Sequence, residues 1–241
     1  MMIYGKTDIG RHRSSNQDEF AYSILNERVC FGLVCDGMGG ENGGQIASAM
    51  AAQTIYELLH AHLSANLTEE QVKAVLVQAV SQANEAVYRR SLQEPEYLGM
   101  GTTAVVAAVL DGKGYVAHVG DSRAYRFKAG ELSQITKDHS LVQSLVEQGK
   151  ITQEQAKDHP QKNMITRAVG VSGKVDIDFV SLGDLGSGSI LLCSDGLSGL
   201  CEQSEMEEIL LQTPPNKVCE ALVEKANRNG GFDNITAVYL C

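Results

Sequence analysis

Residues 29–44 have the sequence VCFGLVCDGMGGENGG, in which an apolar run reaches Asp36 and then passes into glycines. The apolar run 29–35 predicts a strand that is buried on both faces. We expect this strand to stop at Asp36 and to present the carboxylate to a cleft. The glycines that follow outnumber those of a two-residue turn, and glycine is needed where backbone approaches a ligand closely or takes a positive φ. The stretch therefore predicts a buried strand that ends at a ligand-binding loop.

The pairing of an aspartate with a following glycine recurs in the chain. Asp195 follows another apolar run, whereas Asp111 lies between two runs that pair naturally as a hairpin. A plain turn explains Asp111, and it stays open as an explanation of Asp36 and Asp195 taken singly. Asp121, just after a predicted strand, and Asp233, just before the last one, add acids in comparable positions. Together these aspartates favour one shared site.

Outward from this stretch, short strands are interleaved with pairs of helices. A capping box of Thr68 and Gln71 opens the second helix, which runs toward Arg90. The other predicted strands are 3–7, 20–25, 103–110, 114–120, 124–128, 131–135, 175–182, 189–193 and 235–240, and the other predicted helices are 46–63, 204–211 and 216–227. We interpret 103–135 as an antiparallel meander. This order of elements predicts an α+β fold with stacked antiparallel sheets flanked by helices.

Composition is that of an ordinary globular protein. The 241 residues are 43% hydrophobic and 21% charged, which predicts a single domain over 1–241. The net charge of −10 argues against nucleic acid and anionic lipid as partners, although a solvated acidic surface explains most of it. The six cysteines lack zinc-binding spacing, so we expect reduced thiols and a cytoplasmic protein. No apolar run suggests a signal peptide or membrane insertion.

The acids indicate which cation the shared site would take. Carboxylate and carbonyl oxygens select hard cations such as Mg²⁺ or Mn²⁺, whereas zinc and copper sites use histidine and cysteine. His60 and His62 lie two residues apart on a predicted helix and point to different faces. Two hard cations bridged by one carboxylate can lower the pKa of a water and present it to phosphorus. The aspartates thus predict phosphoryl hydrolysis, with an arginine expected for the phosphate oxygens.

An ordered set of motifs extends along nearly the whole chain. The motifs are Asp8-Ile9-Gly10 with Arg13 and Asn16-Gln17-Asp18, Asp36-Gly37-Met38-Gly39-Gly40, Gly101-Thr102-Thr103, Gly120-Asp121-Ser122-Arg123, Asp138-His139-Ser140, Asn163-Met164-Ile165-Thr166-Arg167-Ala168, Ser194-Asp195-Gly196 and Asp233-Asn234-Ile235-Thr236. In this set the chain resembles the bacterial branch of the metal-dependent protein phosphatases, the PPM or type 2C family. The resemblance implies a four-layer αββα fold, in which a sandwich of two antiparallel sheets carries a helix pair on each outer face. It also implies a flap, at about 144–161, that influences substrate choice.

The same resemblance implies cation ligands. Asp36 would bridge two Mn²⁺ or Mg²⁺ ions, and the carbonyl of Gly37 would bind one of them. Asp195 and Asp233 would complete the coordination of the other ion. A third, weaker ion would bind Asp121 together with Asp195, with turn capping as the alternative role for Asp121.

Residues that act on water and substrate are implied as well. Asp18 would hold water on a cation, and Arg13 would grip the substrate phosphate. Many eukaryotic members carry a histidine, assigned as general acid, where this chain has Met38, so here a water or another group must supply the proton. His139 is a candidate by its place in the motif, although a structural hydrogen-bonding role is favoured. We expect His118, inside a strand, to be a satisfied core residue.

The predicted function is hydrolysis of phosphoserine and phosphothreonine, with Asp36, Asp18 and Arg13 as the expected catalytic residues. The expected partners are phosphorylated proteins, including a Ser/Thr kinase, and the chain is expected to be a monomer. One alternative is a catalytically silent regulatory protein of the same fold, for which degenerate ligands would be the mark. Another is a dinuclear phosphodiesterase or nuclease, which the negative charge does not favour.

Overall fold

The computed structural model describes residues 1–241 except for the side chains of Glu41 and Asn42. The strands are β1 (Ile3–Asp8), β2 (Asp18–Asn26), β3 (Val29–Met38), β4 (Gly101–Thr102), β5 (Ala104–Leu110), β6 (Lys113–Val119), β7 (Arg123–Lys128), β8 (Glu131–Gln134), β9 (Asp178–Asp184), β10 (Ser189–Cys193) and β11 (Ile235–Leu240). The helices are α1 (Gly40–His62), α2 (Glu69–Gln93), α3 (Leu141–Glu147), α4 (Gln153–Lys157), α5 (Asp195–Ser198), α6 (Gln203–Gln212) and α7 (Pro215–Arg228), with a 3-10 turn at Pro95–Tyr97.

The strands form antiparallel sheets that stack face to face. One sheet has the order β1-β11-β10-β7-β8, and the other has the order β2-β3-β5-β6-β9 with β4 paired to β3. Neighbouring strands are antiparallel throughout, as in the pairing of Asp18 in β2 with Asp36 in β3. The predicted sandwich of antiparallel sheets is therefore confirmed.

Buried apolar side chains define the layers. Val34, Ile190 and Val238 belong to a cluster between the two sheets. A second cluster packs α1 and α2 onto the β3 sheet, and a third packs α6 and α7 onto the β11 sheet. Burial of these apolar side chains stabilises the contacts between the layers, by about 25 cal/mol for each Å² of apolar surface removed from water. The fold is the predicted four-layer αββα arrangement.

Local sequence explains where the first two helices begin. Thr68 caps α2, and its capping box with Gln71 is formed as predicted. Helix α1 begins at Gly40, earlier than the predicted residue 46. Gly39 and Gly40 have φ of 116° and 81° and turn the chain into the helix. The glycines that follow are poor helix formers. Packing nevertheless requires a glycine at position 44, because a Cβ there would lie 2.6 Å from the Gln17 side chain.

Two predictions about the strands were wrong. The strand that contains Asp36 does not stop there, because Gly37 and Met38 still pair with β4. The interpretation of 103–135 as one meander is also wrong, because β5 and β6 belong to one sheet whereas β7 and β8 belong to the other. The chain crosses between the sheets after Gly120, whose φ of 106° suits only glycine. Asp121 lies in this crossover.

Other features follow the sequence closely. Five cysteines are buried, Cys241 is half-buried, and all six are free thiols, as predicted. The region 144–161 covers part of α3 and all of α4. Among the helices described, none has the length and hydrophobicity to cross a membrane.

Candidate active site

A pocket of about 410 Å³ opens at the end of the sandwich where β3 finishes and β11 begins. Six of the seven predicted site residues line it, namely Arg13, Asp36, Gly37, Asp121, Asp195 and Asp233. The seventh, Asp18, is only 6% exposed and lies beside Asp36 on the neighbouring strand. Residues scattered over most of the chain therefore meet at one place.

Different elements deliver the four acids that line the pocket. Asp36 is on β3, Asp121 is in the crossover between sheets, Asp195 begins α5, and Asp233 immediately precedes β11. The backbone of Asp36 is fixed on both sides by hydroxyl groups. Its N–H donates to Thr103 Oγ1 at 2.9 Å, and its carbonyl accepts from Thr102 Oγ1 at 2.9 Å.

Burial and mutual repulsion raise the proton affinity of Asp36, Asp121 and Asp195. Removal from water raises the pKa of Asp36 well above its ordinary value, and repulsion from Asp18, Asp195 and Asp121 raises it further. The pKa of Asp195 is raised in the same way, although its contact with the Asp36 carboxyl acts in the opposite direction. Burial and the nearby Asp195 raise the pKa of Asp121 to about 7. Such a cluster of acids is unfavourable unless protons or cations neutralise it.

Asp18 has one satisfied and one unsatisfied oxygen. Its Oδ2 accepts hydrogen bonds of 2.7 Å from both Ser194 Oγ and Thr236 Oγ1. Its Oδ1 is buried without a partner among the residues that the structure describes. Burial raises the pKa of Asp18 to about 7, against the opposing effect of the two hydroxyls. A buried polar atom without a partner in a native protein points to a water or an ion.

Arg13 supplies the positive charge of the pocket. Its side chain is 53% exposed, and Nη2 lies 2.6 Å from Asp233 Oδ2. This hydrogen bond, together with the charges of Asp233, Asp195 and Asp36, raises the pKa of the guanidinium. The arginine is therefore cationic at any physiological pH and faces the mouth of the acidic pocket.

Comparison with known proteins identifies the family. A sequence model described as Protein phosphatase 2C matches residues 7–226. The chain belongs to the protein phosphatase 2C family. Over 234 residues it is 38% identical to the serine/threonine phosphatase stp of Listeria monocytogenes, covering 97% of this chain and 92% of that protein. It is 37% identical over 233 residues to the protein phosphatase PhpP of Streptococcus pneumoniae, covering 95% and 93% of the two chains.

Solved structures of the protein phosphatase 2C family share the fold. The serine/threonine phosphatase Stp1 of Staphylococcus aureus superimposes with a TM-score of 0.92 at 32% identity, covering 99% of this chain and 94% of that one. PstP/Ppp of Mycobacterium tuberculosis gives a TM-score of 0.88 at 33% identity, covering 99% and 97%. The predicted family and fold are confirmed, and the chain is a metal-dependent phosphatase.

The pocket of this protein phosphatase 2C member suits hard cations. Its donors are carboxylate oxygens and the Gly37 backbone, which Mg²⁺ and Mn²⁺ prefer. Among the described side chains, the aspartates do not bring three ligand atoms within 4.8 Å of one another. An ion that bound three of these carboxylates would therefore draw their side chains closer together.

A tighter trio of potential ligands lies outside the pocket. His118, His139 and Asp178 place ligand atoms within 4.8 Å of one another. Nδ1 of His139 accepts a 3.0 Å hydrogen bond from the Gly120 N–H, so the neutral ring carries its proton on Nε2. Arg167 also donates to Asp178 Oδ1 at 2.6 Å. A protonated nitrogen and a guanidinium among the ligands make this trio unsuited to a cation.

The structure also contains supporting residues whose roles the sequence analysis did not predict. Ser194 and Thr236 hold Asp18, and Thr103 holds Asp36. Asn234 joins two loops, because its Oδ1 accepts from the Gln17 N–H while its Nδ2 donates to the carbonyl of Ile9. All four lie inside the motifs quoted above. The signal was therefore present, but the buried partners could not be identified without the fold.

The region 144–161, which the resemblance implies is a flap, contributes no described residue to the pocket lining. Asn163 and Ile165, just beyond it, do line the pocket. An isolated antiparallel bridge between Ser140 and Ile165 joins the two ends of the segment that contains this region. Met38 also lines the pocket. Contrary to expectation, His118 is not a satisfied core residue, because its Nδ1 is buried without a described partner.

Proposed function

We propose that this chain hydrolyses phosphoserine and phosphothreonine in proteins at a centre of two Mn²⁺ or Mg²⁺ ions. Asp36 would bind both ions, the carbonyl of Gly37 would bind one, and Asp195 and Asp233 would bind the other. The observation that carries the proposal is the convergence of these four residues with Arg13 in one pocket. The serine/threonine phosphatases named among its relatives support the substrate class.

The chemistry divides between the cations and the side chains. When bound, the cations lower the pKa of a water and offset the negative charge of the phosphate. Asp18 Oδ1, which is unpartnered among the described residues, would accept a hydrogen bond from a water and orient it. Arg13 binds two phosphate oxygens through its planar guanidinium, a geometry that lysine cannot reproduce.

A third ion and the leaving group complete the proposal. Asp121 would bind a third, weaker cation together with Asp195. Burial and the charge of Asp195 raise the pKa of Asp121, and a cation would offset both effects. The described lining of the pocket includes no histidine, and Met38 cannot donate a proton. We therefore assign protonation of the leaving serine or threonine oxygen to water.

The biological setting is also a proposal. We propose a cytoplasmic monomer, with 1–241 as a single catalytic domain, that opposes a Ser/Thr kinase by acting on the kinase and its targets. The six free thiols support a reducing compartment. The complete set of acids counts against the alternative of a catalytically silent regulatory protein, in which cation ligands would be degenerate.

Turnover of a chromogenic phosphate monoester tests the proposal. We expect hydrolysis with Mn²⁺, and none after a chelator removes the metal. A phosphopeptide containing phosphothreonine should be hydrolysed under the same conditions, whereas a chromogenic phosphodiester should not. Turnover that persists in chelator, or activity on the diester alone, would show that the assignment is wrong.

A further inference from the structure

Two consecutive residues, Asp138 and His139, hold the crossover that carries Asp121. The backbone N–H of His139 donates to the Gly120 carbonyl at 2.9 Å, and the Gly120 N–H donates back to His139 Nδ1 at 3.0 Å. On the other side of the crossover, Arg123 Nη2 donates to Asp138 Oδ2 at 2.7 Å. The residues that flank the Asp121 turn are therefore both fixed by this dipeptide.

The hydrogen bond from Gly120 determines the tautomer of His139. A backbone amide can only donate, so Nδ1 must offer its lone pair and Nε2 must carry the proton. Nε2 lies 3.3 Å from Asp178 Oδ2, which can accept that proton, and 3.0 Å from Arg167 Nη1, which can only donate and so makes no hydrogen bond to a protonated Nε2. His118 stacks on the ring with centroids 4.6 Å apart. His139 is 8% exposed and His118 1%, so burial lowers the pKa of both rings and favours the neutral form.

The crossover has little freedom to adopt another path. Gly120 has a φ of 106°, and a Cβ there would lie 2.6 Å from Thr103 Cγ2. Ser122 Oγ also shares a 2.7 Å hydrogen bond with Thr103 Oγ1. If the imidazole were removed, the buried Gly120 N–H would lose its partner, and a buried unpaired donor is costly. The turn would then shift to find another acceptor, and Asp121 would move with it.

We propose that His139 is a positioning residue, whose Nδ1 holds the Gly120 amide so that the Asp121 carboxylate faces the pocket. This inference rests on the proposed role of Asp121 as a cation ligand. It gives His139 no contact with substrate and no part in proton transfer. The position of Asp121 depends on the hydrogen-bond acceptor at Nδ1. It does not depend on the Nε2 side of the ring, which contacts Asp178.

Substitutions that mimic one ring nitrogen at a time separate the two sides of His139. In H139N the amide oxygen can occupy the place of Nδ1, and in H139Q the longer side chain reaches the place of Nε2. Titration calorimetry with Mn²⁺ on the chelator-treated full chain, with D121N as reference, measures ion uptake at Asp121. We expect H139Q to weaken this uptake between about tenfold and 100-fold, as loss of a residue that supports a metal ligand does, and H139N to stay within about threefold of wild type.

D178N provides a variant that alters the other side and leaves His139 in place. Asp178 is 44% exposed, so the substitution should fold, and we expect Mn²⁺ uptake within about threefold of wild type. Thermal unfolding of each variant shows whether stability alone explains the result. The proposal is overturned if H139N and H139Q lose uptake equally, if H139Q retains it, or if D178N loses as much as H139Q.

The reference variant separates this inference from the function on which it rests. If D121N lacks one class of Mn²⁺ uptake while H139Q keeps it, the inference alone fails. If D121N binds Mn²⁺ like wild type, Asp121 is no cation ligand and both the assignment and the inference fail.

A second measurement follows the Gly120 amide directly. Its proton exchange, observed by NMR, should stay slow in H139N and become fast in H139Q. The reverse order would contradict the proposal.

Discussion

Arg13 Nη2 lies 2.6 Å from Asp233 Oδ2, so the proposed phosphate-binding arginine is paired with a proposed cation ligand. The two residues are 220 positions apart in the chain, and the loops that carry them meet because Arg11 N–H donates to the Gly231 carbonyl at 2.7 Å. The exposed guanidinium can turn from this carboxylate toward a substrate phosphate, which is a second anionic partner at the same mouth.

Replacement of Arg13 should therefore affect substrate binding more than metal binding. For Arg13→Ala we expect KM for a phosphopeptide to rise by about tenfold or more, the scale of a lost charged hydrogen bond of about 1.5–3 kcal/mol. Mn²⁺ affinity should not fall, because the variant removes a cation from beside Asp233. Steady-state kinetics and calorimetry measure the two effects separately.

Arg28→Ala is the matched control for this variant. Arg28 is also an exposed arginine paired with an aspartate, Asp111, but it lies outside the pocket. Its replacement should leave KM unchanged. An equal loss of Mn²⁺ affinity and substrate affinity in Arg13→Ala would contradict the role assigned to Arg13.

The two Asp-Gly sequences at Asp36 and Asp111 offer a direct comparison of a site residue with a turn residue. Asp36→Asn should abolish Mn²⁺-dependent turnover, because a neutral amide cannot bridge two cations. Asp111→Asn should retain turnover, because Asp111 is in the β5–β6 turn with φ of 51°, a conformation that asparagine tolerates. Equal activity of the two variants would contradict the assignment of Asp36.

The same comparison shows what the sequence could predict. An Asp-Gly pair in a hairpin is recognisable from the strands around it, and the turn at Asp111 forms as predicted. The glycines after Asp36 were expected either to approach a ligand or to take a positive φ, and Gly39 and Gly40 do have φ of 116° and 81°. The sequence did not reveal that Asp36 lies within the strand, because the short pairing of Gly37 with Thr102 is a long-range contact.

Ser194 should prove important through Asp18. Its Oγ donates to Asp18 Oδ2 and accepts from the Thr236 N–H at 3.0 Å. Ser194→Ala removes a hydrogen bond that lowers the pKa of Asp18, so that pKa should rise. We expect turnover to fall between about tenfold and 100-fold, with the rising limb of the pH–rate profile moved to higher pH.

Ser189→Ala controls for the loss of a buried serine. Ser189 begins the strand that Ser194 follows, and its hydroxyl donates to Tyr239 at 2.9 Å, away from the pocket. Both variants should lose stability, by about 1 kcal/mol for one buried hydrogen bond. A pH–rate profile that moves equally in both variants would contradict a specific role for Ser194.

Stability without metal should fall as the pH rises. The pKa of Asp18 and of Asp121 is about 7 in the fold against an ordinary value of 3.8, so the folded chain binds more protons between about pH 4 and pH 7. The free energy of unfolding therefore decreases with increasing pH across this window. Each tenfold difference in proton affinity between the folded and the unfolded chain changes the free energy of unfolding by about 1.4 kcal/mol. A loss of that size lowers the melting temperature of a chain of this length by roughly 2–6 °C.

Thermal unfolding in chelator at about pH 5 and pH 8 measures this effect. Mn²⁺ should stabilise the chain more at pH 8, where it replaces the lost protons, than at pH 5. Asp121→Asn should reduce the pH dependence, because the amide does not titrate. A metal-free chain that is more stable at pH 8 than at pH 5 would contradict the raised pKa values.

Other parts of the site could not be predicted because they depend on the arrangement of the sheets. Alternating strands around Asp121 suggested a meander, and only the pairing of β6 with β9 and of β7 with β10 separates them into two sheets. The partners of Asp18 were hidden for a related reason. Ser194 and Thr236 are 176 and 218 residues from Asp18, and a single sequence contains no measure of such proximity.

The central claim is that Asp36, Asp195 and Asp233 together hold a pair of hard cations. Titration calorimetry of chelator-treated protein with Mn²⁺ tests it most directly, comparing wild type with Asp195→Ala. We predict at least two ions bound per wild-type chain and loss of at least one of them in the variant. No uptake by the wild type, or equal uptake by the two proteins, would contradict the account.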